Sequence, residues 1–499
     1  MLKKIRVGLA LVVFVFITLY FLDFTGLLPD WFNFLTRIQF VPAFLSLSVI
    51  TVLVLVVSTL IFGRVYCSVI CPLGVFQDVT GRVAAFFRKK KLRYKFRRAR
   101  TFLRWSVVVV ALAGFLLGVP VLLALTDPYS AYGRIVVSVF KPVYVLGNNL
   151  LEFIFTHFDN YTFYRADVSI QGWGAFVVAF TTLLVVVYLA WRHGRTYCNT
   201  FCPVGTVLGF LSKYSLLKIR IDHSACNSCS LCETNCKGFC INSKEQRIDY
   251  SRCVACFNCI DSCNKGAISF SYGLAKRKKQ QTEMDESKRK FLTTAVLSTA
   301  ALPAVFAGNA KSDKAKPTPM APPGAISTQH LLDHCTACHL CVSKCPTHVI
   351  KPAFMEYGLA GMMFPVMKFS DGFCNYDCTV CSEVCPNGAI KPLTVDQKHL
   401  TQVGKVVLNL DHCIAYRDET NCGACAEHCP TQAVTMVPYK GALTIPKTDQ
   451  SICVGCGGCE YICPETGKAI YIEGNPVHLE AEMFEEAETK EFDFGGFGF

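Results

Sequence analysis

Residues 335–346 read CTACHLCVSKCP, a run of four cysteines spaced C-x-x-C-x-x-C-x-x-x-C before a proline. Three other runs have the same spacing, and two more keep the last three cysteines in register while lengthening the first spacer. Such spacing wraps a loop of backbone around an iron–sulfur cube. The six runs use 24 of the 29 cysteines, namely Cys226, Cys229, Cys232 and Cys236; Cys253, Cys256, Cys259 and Cys263; Cys335, Cys338, Cys341 and Cys345; Cys374, Cys378, Cys381 and Cys385; Cys413, Cys422, Cys425 and Cys429; Cys453, Cys456, Cys459 and Cys463.

The runs are expected to work in pairs. In this kind of motif the first three thiolates hold one [4Fe-4S] cube and the fourth crosses to a neighbouring cube. Six runs therefore predict six [4Fe-4S] clusters, with iron bound through these cysteines. Disulfide frameworks are typical of short secreted chains, and structural zinc sites usually space their cysteine pairs further apart, so both are disfavoured. For the last four runs, adjacent pairing and pairing of outer with inner runs both stay open.

Proline directly after the last cysteine is typical of the bacterial ferredoxin run. It is present after four runs, at Pro346, Pro386, Pro430 and Pro464. The first two runs have Lys237 and Asn264 there instead, and Cys240 adds a thiol beyond the first run. Either Cys236 or Cys240 is therefore a candidate for the fourth ligand.

The composition indicates a membrane part. The chain has 499 residues, 52% of them hydrophobic, and a formal net charge of +13. Four apolar stretches of about twenty residues are each long enough to cross a hydrocarbon core as a helix. They cover residues 7–28, 41–62, 105–126 and 172–191.

Basic residues predict the orientation of these helices. Residues 64–104 contain twelve lysines and arginines, whereas the first loop has only Arg37 and the third has Arg134, Lys141 and Arg165. Because basic loops stay inside, the long loop and the cluster pair at 226–263 are predicted to be cytoplasmic. Topology accounts for the positive charge, so nucleic acid is not expected as a partner.

The region between the second and third runs has the layout of an export signal. Basic residues at 276–279 and 288–290 precede an apolar stretch of small residues at 291–308, with an A-x-A-like end near Ala307. Its opening, SKRKFL at 287–292, resembles a twin-arginine signal with lysine in place of the first arginine. The last four clusters are therefore expected in the periplasm, with cleavage near Ala307 left open. The alternative is an amphiphilic linker between domains.

A twelve-residue motif repeats in the membrane part. GRVYCSVICPLG at 63–74 and GRTYCNTFCPVG at 194–205 share G-R-x-Y-C-x-x-x-C-P-x-G. The repeat indicates a duplicated two-helix unit, which would bring Cys67, Cys71, Cys198 and Cys202 to one face. These four thiols could hold a seventh metal centre or cluster, form a redox disulfide, or serve only in packing.

These features resemble a known family. Four membrane helices, two C-x-x-x-C-P motifs and a two-cluster domain are similar to NapH, the membrane quinol dehydrogenase subunit of periplasmic nitrate reduction. The part from Ser287 onward resembles NapG, its exported partner with four cluster motifs, as if the two were fused. The resemblance implies oxidation of menaquinol from the quinone pool, release of protons, and one-electron transfer to a periplasmic reductase or cytochrome c. Related proteins of nitrous-oxide, methylamine and organohalide respiration share the paired motif, which leaves the terminal acceptor open.

Two other functions fit the same motifs. One is a transmembrane conduit that carries electrons from a cytoplasmic ferredoxin or flavoprotein to the periplasm. The other is an assembly or maturation factor for a periplasmic reductase. Neither a nucleotide-binding glycine fingerprint nor a haem attachment motif is present in the sequence.

A quinol pocket is expected near the periplasmic ends of the helices, although the sequence identifies no catalytic residue. Glu152, His157, Asp159 and Tyr161 cluster there, and residues 135–158 are predicted to lie flat as an interfacial helix. The acidic and aromatic tail at 480–499 is expected to be solvated, or to serve as a docking strip for a basic partner.

The predicted fold is a membrane α-helical domain of four helices plus a fifth, signal-anchor-like helix, combined with α+β domains of bacterial ferredoxin type. The chain is expected in the bacterial inner membrane, as a quinol-oxidising component of anaerobic respiration. The predicted domains are the membrane domain 1–220, a cytoplasmic two-cluster domain 221–275, a signal-anchor segment and linker 276–325, a periplasmic four-cluster domain 326–475, and the tail 476–499.

Overall fold

A computed structural model describes residues 1–87, 94–168, 172–272 and 318–482. The described chain forms a helical bundle up to residue 215, followed by a small and a larger α+β domain. Most of the predicted signal-anchor segment and linker, and the acidic tail beyond residue 482, lie outside the described residues.

The bundle contains two long helices and many short ones, because glycine, proline and polar caps interrupt its apolar sequence. A π-helical segment, Val136–Phe140, joins the ninth helix to the tenth. The α-helices of the bundle are α1 Leu2–Leu22, α2 Asn33–Arg37, α3 Phe40–Leu45, α4 Val49–Phe62, α5 Tyr66–Val69, α6 Pro72–Phe87, α7 Thr101–Leu116, α8 Val121–Thr126, α9 Pro128–Ile135, α10 Lys141–Thr156, α11 Trp173–His193, α12 Thr196–Thr200 and α13 Pro203–Leu211.

Two of the four predicted spans are confirmed as helices long and apolar enough to cross a membrane, α1 and α11. The other two are interrupted. The stretch 41–62 divides into α3 and α4 at Leu47, whose φ is 55°, and 105–126 divides into α7 and α8 at Gly118, whose φ is 76°, and Pro120. Left-handed residues and proline end a helix, so α4 and α7 are apolar helices of less than spanning length.

The stretch predicted as one interfacial helix is also divided. Its beginning, at the end of α9 and in the π-helical segment, is buried in the bundle, as Ile135 and Val136 show. Its remainder is α10, which exposes the apolar side chains of Val143, Leu150 and Phe153. An exposed apolar face of this kind suits contact with lipid.

The small domain, which we call the inner domain, has the strand–loop–helix pattern of a two-cluster ferredoxin. Strands β1 and β4 pair antiparallel, as do β2 and β3, and one short helix follows within each cysteine run. Its elements are β1 Leu217–Ile221, α14 Leu231–Thr234, β2 Ile241–Asn242, β3 Arg247–Ile248, α15 Asn258–Asp261 and β4 Ile268–Tyr272.

The larger domain, which we call the outer domain, repeats this plan around four cysteine runs. Three antiparallel pairs of strands, β5 with β6, β7 with β10, and β8 with β9, lie among short helices. Its elements are α16 Thr328–His334, α17 Leu340–Lys344, β5 Ile350–Pro352, β6 Pro365–Met367, α18 Val380–Val384, α19 Val395–His399, β7 Thr401–Leu408, α20 Ile414–Arg417, α21 Ala424–Glu427, β8 Val434–Pro438, β9 Thr444–Thr448, α22 Gly458–Ile462 and β10 Ile470–Glu480.

The two α+β domains contact opposite ends of α1. Lys3, at its start, forms an ion pair of 2.6 Å with Asp261 of the inner domain. Asp23, just past its end, forms one of 2.6 Å with Lys344 of the outer domain. A helix of 21 residues is roughly 30 Å long. The bundle therefore separates the two cysteine-rich domains by about the thickness of a hydrocarbon core.

Candidate metal centres

The inner domain collects its eight run cysteines into two sets of four. One cavity is lined by the first three cysteines of the first run together with Cys263, the last of the second run. The other is lined by the first three of the second run together with Cys236, the last of the first. This is the crossed arrangement expected from the spacing. Four thiols around a small cavity are the donor set that a [4Fe-4S] cluster requires.

The backbone of the regular runs has a shared conformation. In each, the residue before the second cysteine and the residue after it have positive φ, as for Ser228 (55°) and Ser230 (62°) in the first run. The equivalent pairs are Ala255 and Phe257, Ala337 and His339, and Gly455 and Gly457. Side chains such as those of Phe257 and His339 rarely adopt this conformation, so the loop around the thiols imposes it.

Cys240 lines the same cavity as Cys236. Their sulfur atoms are 3.4 Å apart, and both residues are buried. The hydrogen bond from the Cys240 thiol lowers the pKa of Cys236 to about 7, and the same bond raises the pKa of Cys240. Both sulfurs can reach one cluster, so the two candidates for the fourth ligand are neighbours.

In the outer domain, the first two runs are interleaved. The thiol of Cys385, the last of its run, interacts electrostatically with Cys335, Cys338 and Cys341. In return, Cys345 interacts with Cys374 and Cys381. The two sets are therefore the first three cysteines of each run completed by the last cysteine of the other.

The last two runs follow the same rule. Cys429 interacts electrostatically with Cys453, Cys456 and Cys459. Cys463 packs in a small cluster with Cys413 and Cys422. The sequence left two pairings of the four outer runs open. In the structure, adjacent runs are paired.

The two pairs of the outer domain also contact each other. The backbone N–H of Cys374 donates to the carbonyl of Cys456 at 2.9 Å, and the two thiols interact electrostatically. A contact between cysteines of different sets brings their centres close together. The four outer sets consequently form a continuous series.

The repeated membrane motif brings its four cysteines together. Cys67, Cys71, Cys198 and Cys202 are all buried, and the thiols of Cys71 and Cys202 interact electrostatically with the other members. We call these four the motif thiols. Within the described residues, no group of three ligating side chains is close enough for a single metal ion.

The two copies of the repeated motif are linked by reciprocal hydrogen bonds. Arg195 donates to the carbonyl of Cys67 at 2.7 Å, and Arg64 donates to the carbonyl of Cys198 at 3.4 Å. Each arginine of the repeat thus holds the first cysteine of the other copy. The final glycine of each copy permits this packing, because a Cβ at Gly74 would lie 2.4 Å from the Cys67 carbonyl oxygen.

The second cysteine of each motif is placed at the start of a helix. Cys202 precedes α13, and its sulfur accepts the backbone N–H of Gly205 at 3.2 Å. The N–H of Gly74, in the first turn of α6, does the same for Cys71. Each of these hydrogen bonds favours a thiolate, but burial outweighs it and raises the pKa of both thiols well above the usual value.

Positive charge dominates between the motif thiols and the inner domain. Asp78 is buried and accepts hydrogen bonds from Arg195 at 2.9 Å and Arg6 at 3.1 Å, with Lys237 at 3.3 Å. Arg64 is fully buried nearby. One carboxylate thus faces three cations, with Arg64 as a fourth nearby, and buried charges are normally balanced. The motif thiols and their surroundings therefore fit an anionic, thiolate-bound group.

Arg134 connects the motif region to the outer domain. Its guanidinium donates to the carbonyls of Ala124 at 3.0 Å and Ala337 at 3.1 Å, and it interacts electrostatically with Tyr197 and Cys338. Tyr197 directly precedes a motif cysteine, whereas Cys338 belongs to the first outer set. The motif thiols therefore lie between the inner and outer centres.

The residues expected at a quinol pocket line none of the cavities described here. Glu152 lies on α10 and accepts a hydrogen bond from Thr156 at 3.4 Å, and His157, Asp159 and Tyr161 are exposed.

A cavity of about 550 Å³ lies instead where the bundle meets the outer domain. Its lining includes Lys141 of α10, together with Cys345 and His348 of the outer domain. No sequence pattern indicates this cavity, because its walls come from segments more than 300 residues apart.

The cysteine regions match known iron–sulfur families. A 4Fe-4S binding domain matches twice, at residues 44–95 and 173–222, and each match contains one C-x-x-x-C-P motif. A 4Fe-4S dicluster domain matches residues 420–466, and another 4Fe-4S binding domain matches residues 330–351. The double match agrees with the internal duplication inferred from the repeat.

Similar proteins are ferredoxin-type proteins. The methylamine utilization ferredoxin-type protein MauM of Methylobacillus flagellatus is 31% identical over 169 residues, 32% of this chain and 71% of the relative. Ferredoxin-type protein NapF of Escherichia coli is 27% identical over 144 residues, 29% of this chain and 79% of the relative. Ferredoxin-type protein NapH of Haemophilus influenzae is 25% identical over 193 residues, 38% of this chain and 54% of the relative.

No solved structure matches the chain. The family is nevertheless clear, because MauM exceeds 30% identity over more than two thirds of its length and the iron–sulfur matches fall on the cysteine runs. The chain belongs to the ferredoxin-type 4Fe-4S electron-transfer proteins related to MauM, NapF and NapH.

Proposed function

We propose that this protein is a bacterial inner-membrane quinol dehydrogenase component, which oxidises menaquinol and passes electrons to a periplasmic reductase or cytochrome c. The observation that carries the proposal is the continuous series of thiol sets along the molecule. It runs from the inner domain, past the motif thiols and Arg134, to the last run of the outer domain. Such a series serves conduction better than the assembly of a partner enzyme.

The proposed cofactors are six [4Fe-4S] clusters held by the crossed cysteine sets, with a seventh centre at the motif thiols. When bound, such clusters accept and donate one electron at a time. Oxidation of one quinol to a quinone releases two electrons and two protons. Clusters held by the crossed cysteine sets would take up the two electrons singly, and the two protons would leave to water on the side where the quinol binds.

The role of the surrounding side chains is to fix the spacing of the centres. Arg64 and Arg104 each donate to the carbonyl of Ser251, two residues before Cys253. Arg134 likewise donates to the carbonyl of Ala337, one residue before Cys338. Charged donors make the stronger hydrogen bonds of proteins, so buried arginines hold both cluster loops against the bundle. Electron transfer depends steeply on distance, and this docking keeps the distances short.

The proposed topology has the inner domain in the cytoplasm and the outer domain in the periplasm. Two findings support it: the domains contact opposite ends of the apolar helix α1, and the basic residues are concentrated in the loop before α7. The crossing between the domains would occur in the segment 276–325. Cysteine labelling with a membrane-impermeant reagent at Tyr272→Cys and Lys447→Cys, in intact spheroplasts, tests the topology. Labelling of the second variant alone is expected.

The first test of the function is anaerobic reduction of the purified, cluster-loaded chain by a menaquinol analogue, followed by EPR and optical bleaching. Rapid reduction in the absence of any terminal reductase is expected. Reduction by a cytoplasmic ferredoxin, with none by the quinol, would overturn quinol oxidation and favour the conduit.

Replacement of Cys453 by serine tests the relay itself. The change removes one ligand near the far end of the series, so about four iron atoms per chain should be lost or weakly held. Quinol should still reduce the remaining clusters, while transfer to the periplasmic acceptor slows and membrane insertion is unchanged. Acceptor reduction at the rate of the unmodified protein would contradict a relay through this centre.

A second candidate function, the transmembrane conduit from a cytoplasmic donor, is favoured by the position of the motif thiols between the two domains. It requires a redox centre there. Replacement of Cys71 and Cys202 by alanine separates the candidates: the conduit would lose transfer from inner to outer clusters. A quinol dehydrogenase that feeds the outer domain directly would keep reduction of the outer clusters by menaquinol.

A further inference from the structure

The 550 Å³ cavity between the bundle and the outer domain has the properties of a ligand site. Its walls are the end of α1, the beginning of α10, the segment 164–168, and the outer domain near Cys345. Ligand cavities are commonly about 300–1,000 Å³ in volume and lie where domains meet. A space of this size accommodates a fused two-ring head group.

The cavity walls combine apolar side chains with charged ones, of which Asp23 and Lys344 pair with each other. Tyr20, Phe24 and Val145 are among the apolar residues that line it. The ammonium of Lys141 is already bound by the carbonyl and hydroxyl of Ser343. Walls of this kind suit an aromatic ring that carries one or two hydroxyl groups.

One polar group in the cavity wall has no partner among the described residues. The Nδ1 atom of His348 is buried and makes no hydrogen bond there. A buried nitrogen without a partner costs free energy unless a ligand supplies one. Because His348 also lines the cavity, a ring hydroxyl there would lie beside its imidazole.

The cavity also adjoins both a cluster site and an apolar surface. Cys345, in its wall, completes the set formed by Cys374 and its neighbours. The adjacent helix α10 exposes Leu150 and Phe153, along which a prenyl tail could run in the lipid. A ring in the cavity would thus be next to an electron acceptor while its tail stays in the membrane.

We propose that this cavity binds the ring of the membrane quinol, with a hydroxyl hydrogen-bonded to His348. The inference rests on the proposed quinol oxidation and assigns its location. It replaces the loop at 157–161 as the candidate site, because that loop is exposed and lines no described cavity.

The test uses Val145→Trp, which fills the cavity, and Val143→Trp as its matched control on the lipid-facing side of the same helix. His348→Asn removes the imidazole, and asparagine tolerates the positive φ of 54° at this position. Binding of the quinol analogue 2-heptyl-4-hydroxyquinoline N-oxide is measured by quenching of its fluorescence on the full, cluster-loaded chain. Dithionite-reduced EPR spectra verify that the clusters are intact.

Val145→Trp should raise the Kd of the analogue about tenfold or more, by exclusion of the ring from the cavity. His348→Asn should raise the Kd about fivefold, because one hydrogen bond to the analogue is lost. Val143→Trp should leave it unchanged, and all three should keep the EPR signals. If Val145→Trp fails to fold, the Kd of His348→Asn relative to that of the unmodified chain decides whether the analogue binds in this cavity.

Two negative outcomes are distinguishable. Binding and quinol reduction in the unmodified chain, with Kd values for Val145→Trp and His348→Asn equal to that of Val143→Trp, would overturn the site while the function stands. Absence of both binding and quinol reduction in the unmodified chain would overturn the proposed function, and this inference with it.

Discussion

The inner and outer domains dock on the bundle by the same device. In each, a buried cation of the bundle donates to a backbone carbonyl beside a cluster cysteine: Arg104 to Ser251 at 3.1 Å, and Arg134 to Ala337 at 3.1 Å. Backbone carbonyls are present whatever the side chains are. The docking therefore depends on the path of the cluster loop and on the position of the cation.

The two interfaces differ in what surrounds these cations. At the inner interface, Lys237 of the inner domain forms an ion pair with the buried Asp78 of the bundle. The outer domain adds apolar contact, because Cys338, Leu340 and Val384 belong to the same hydrophobic cluster as the core of the bundle. The outer interface also has a buried ion pair, Lys344 with Asp23, whereas the inner domain contributes only Val254 to the buried part of that cluster. We infer that the outer interface combines charge with apolar burial and that the inner interface depends mainly on charge.

The largest effect is expected from Asp78→Asn, which breaks the charged interface. The change leaves Arg6, Arg195 and Lys237 without their shared carboxylate. Removal of one partner of a buried ion pair costs about 3–5 kcal/mol. The melting temperature should fall, and limited proteolysis should release the inner domain before the outer one.

The control for this prediction is Asp261→Asn, which removes an exposed carboxylate at the same interface between the bundle and the inner domain. It should melt at the temperature of the unmodified chain. Simultaneous release of both domains from Asp78→Asn would show that the two interfaces are not energetically distinct.

A smaller and more local effect is expected from Arg134→Met, compared with Arg104→Met. Hydrogen bonds from charged groups contribute about 1.5–3 kcal/mol each, and Arg134 donates to carbonyls of both the bundle and the outer domain. Amide hydrogen exchange at 335–345 should therefore rise about tenfold in Arg134→Met. Arg104→Met should raise amide exchange only near residue 251. The increase there should be smaller than that in Arg134→Met, because Arg64 donates to the same carbonyl. Equal changes in both domains would contradict separate docking.

Much of both domains could be predicted from the sequence, because thiol spacing is a strong geometric constraint. The crossed sets of the inner domain follow from the C-x-x-C-x-x-C-x-x-x-C spacing alone, and the shared G-R-x-Y-C motif predicts that Cys67 and Cys198 converge. The pairing of the outer runs could not be read in this way. It depends on which short helices pack together, as α17 does with α18.

Other features lack any local signal. Phe257 and Ala337 adopt left-handed conformations although neither is a residue that favours them, so no propensity identifies these positions. The predicted span at 41–62 contains no charged residue, yet it breaks at Leu47, which lies between two serines and has a φ of 55°. The 550 Å³ cavity joins Tyr20 to His348, and only the folded chain brings them together.

The spare thiol of the inner domain distinguishes it further from the outer domain. Cys236→Ser should keep its cluster, because the sulfur of Cys240 lies 3.4 Å away in the same cavity and can replace it. Cys345→Ser, at the equivalent position of the outer domain, should lose about four iron atoms per chain. Iron analysis and EPR measure both.

The double variant Cys236→Ser with Cys240→Ser completes this comparison. It should lose about four iron atoms, as Cys345→Ser does. Loss of the same iron from Cys236→Ser alone would mean that Cys240 cannot act as a ligand and that the inner domain has no reserve.

The smallest effect is expected from Lys3→Ala, although the ion pair of Lys3 with Asp261 is among the shortest in the molecule, at 2.6 Å. Its side chains are 33% and 57% exposed, whereas those of Arg195 and Asp78 are 1% and 11% exposed. Exposed pairs are screened by water and salt and contribute little. The melting temperature and the exchange of the inner domain should therefore be unchanged. A loss approaching that of Asp78→Asn would mean that the inner domain is held at its surface rather than through its buried charges.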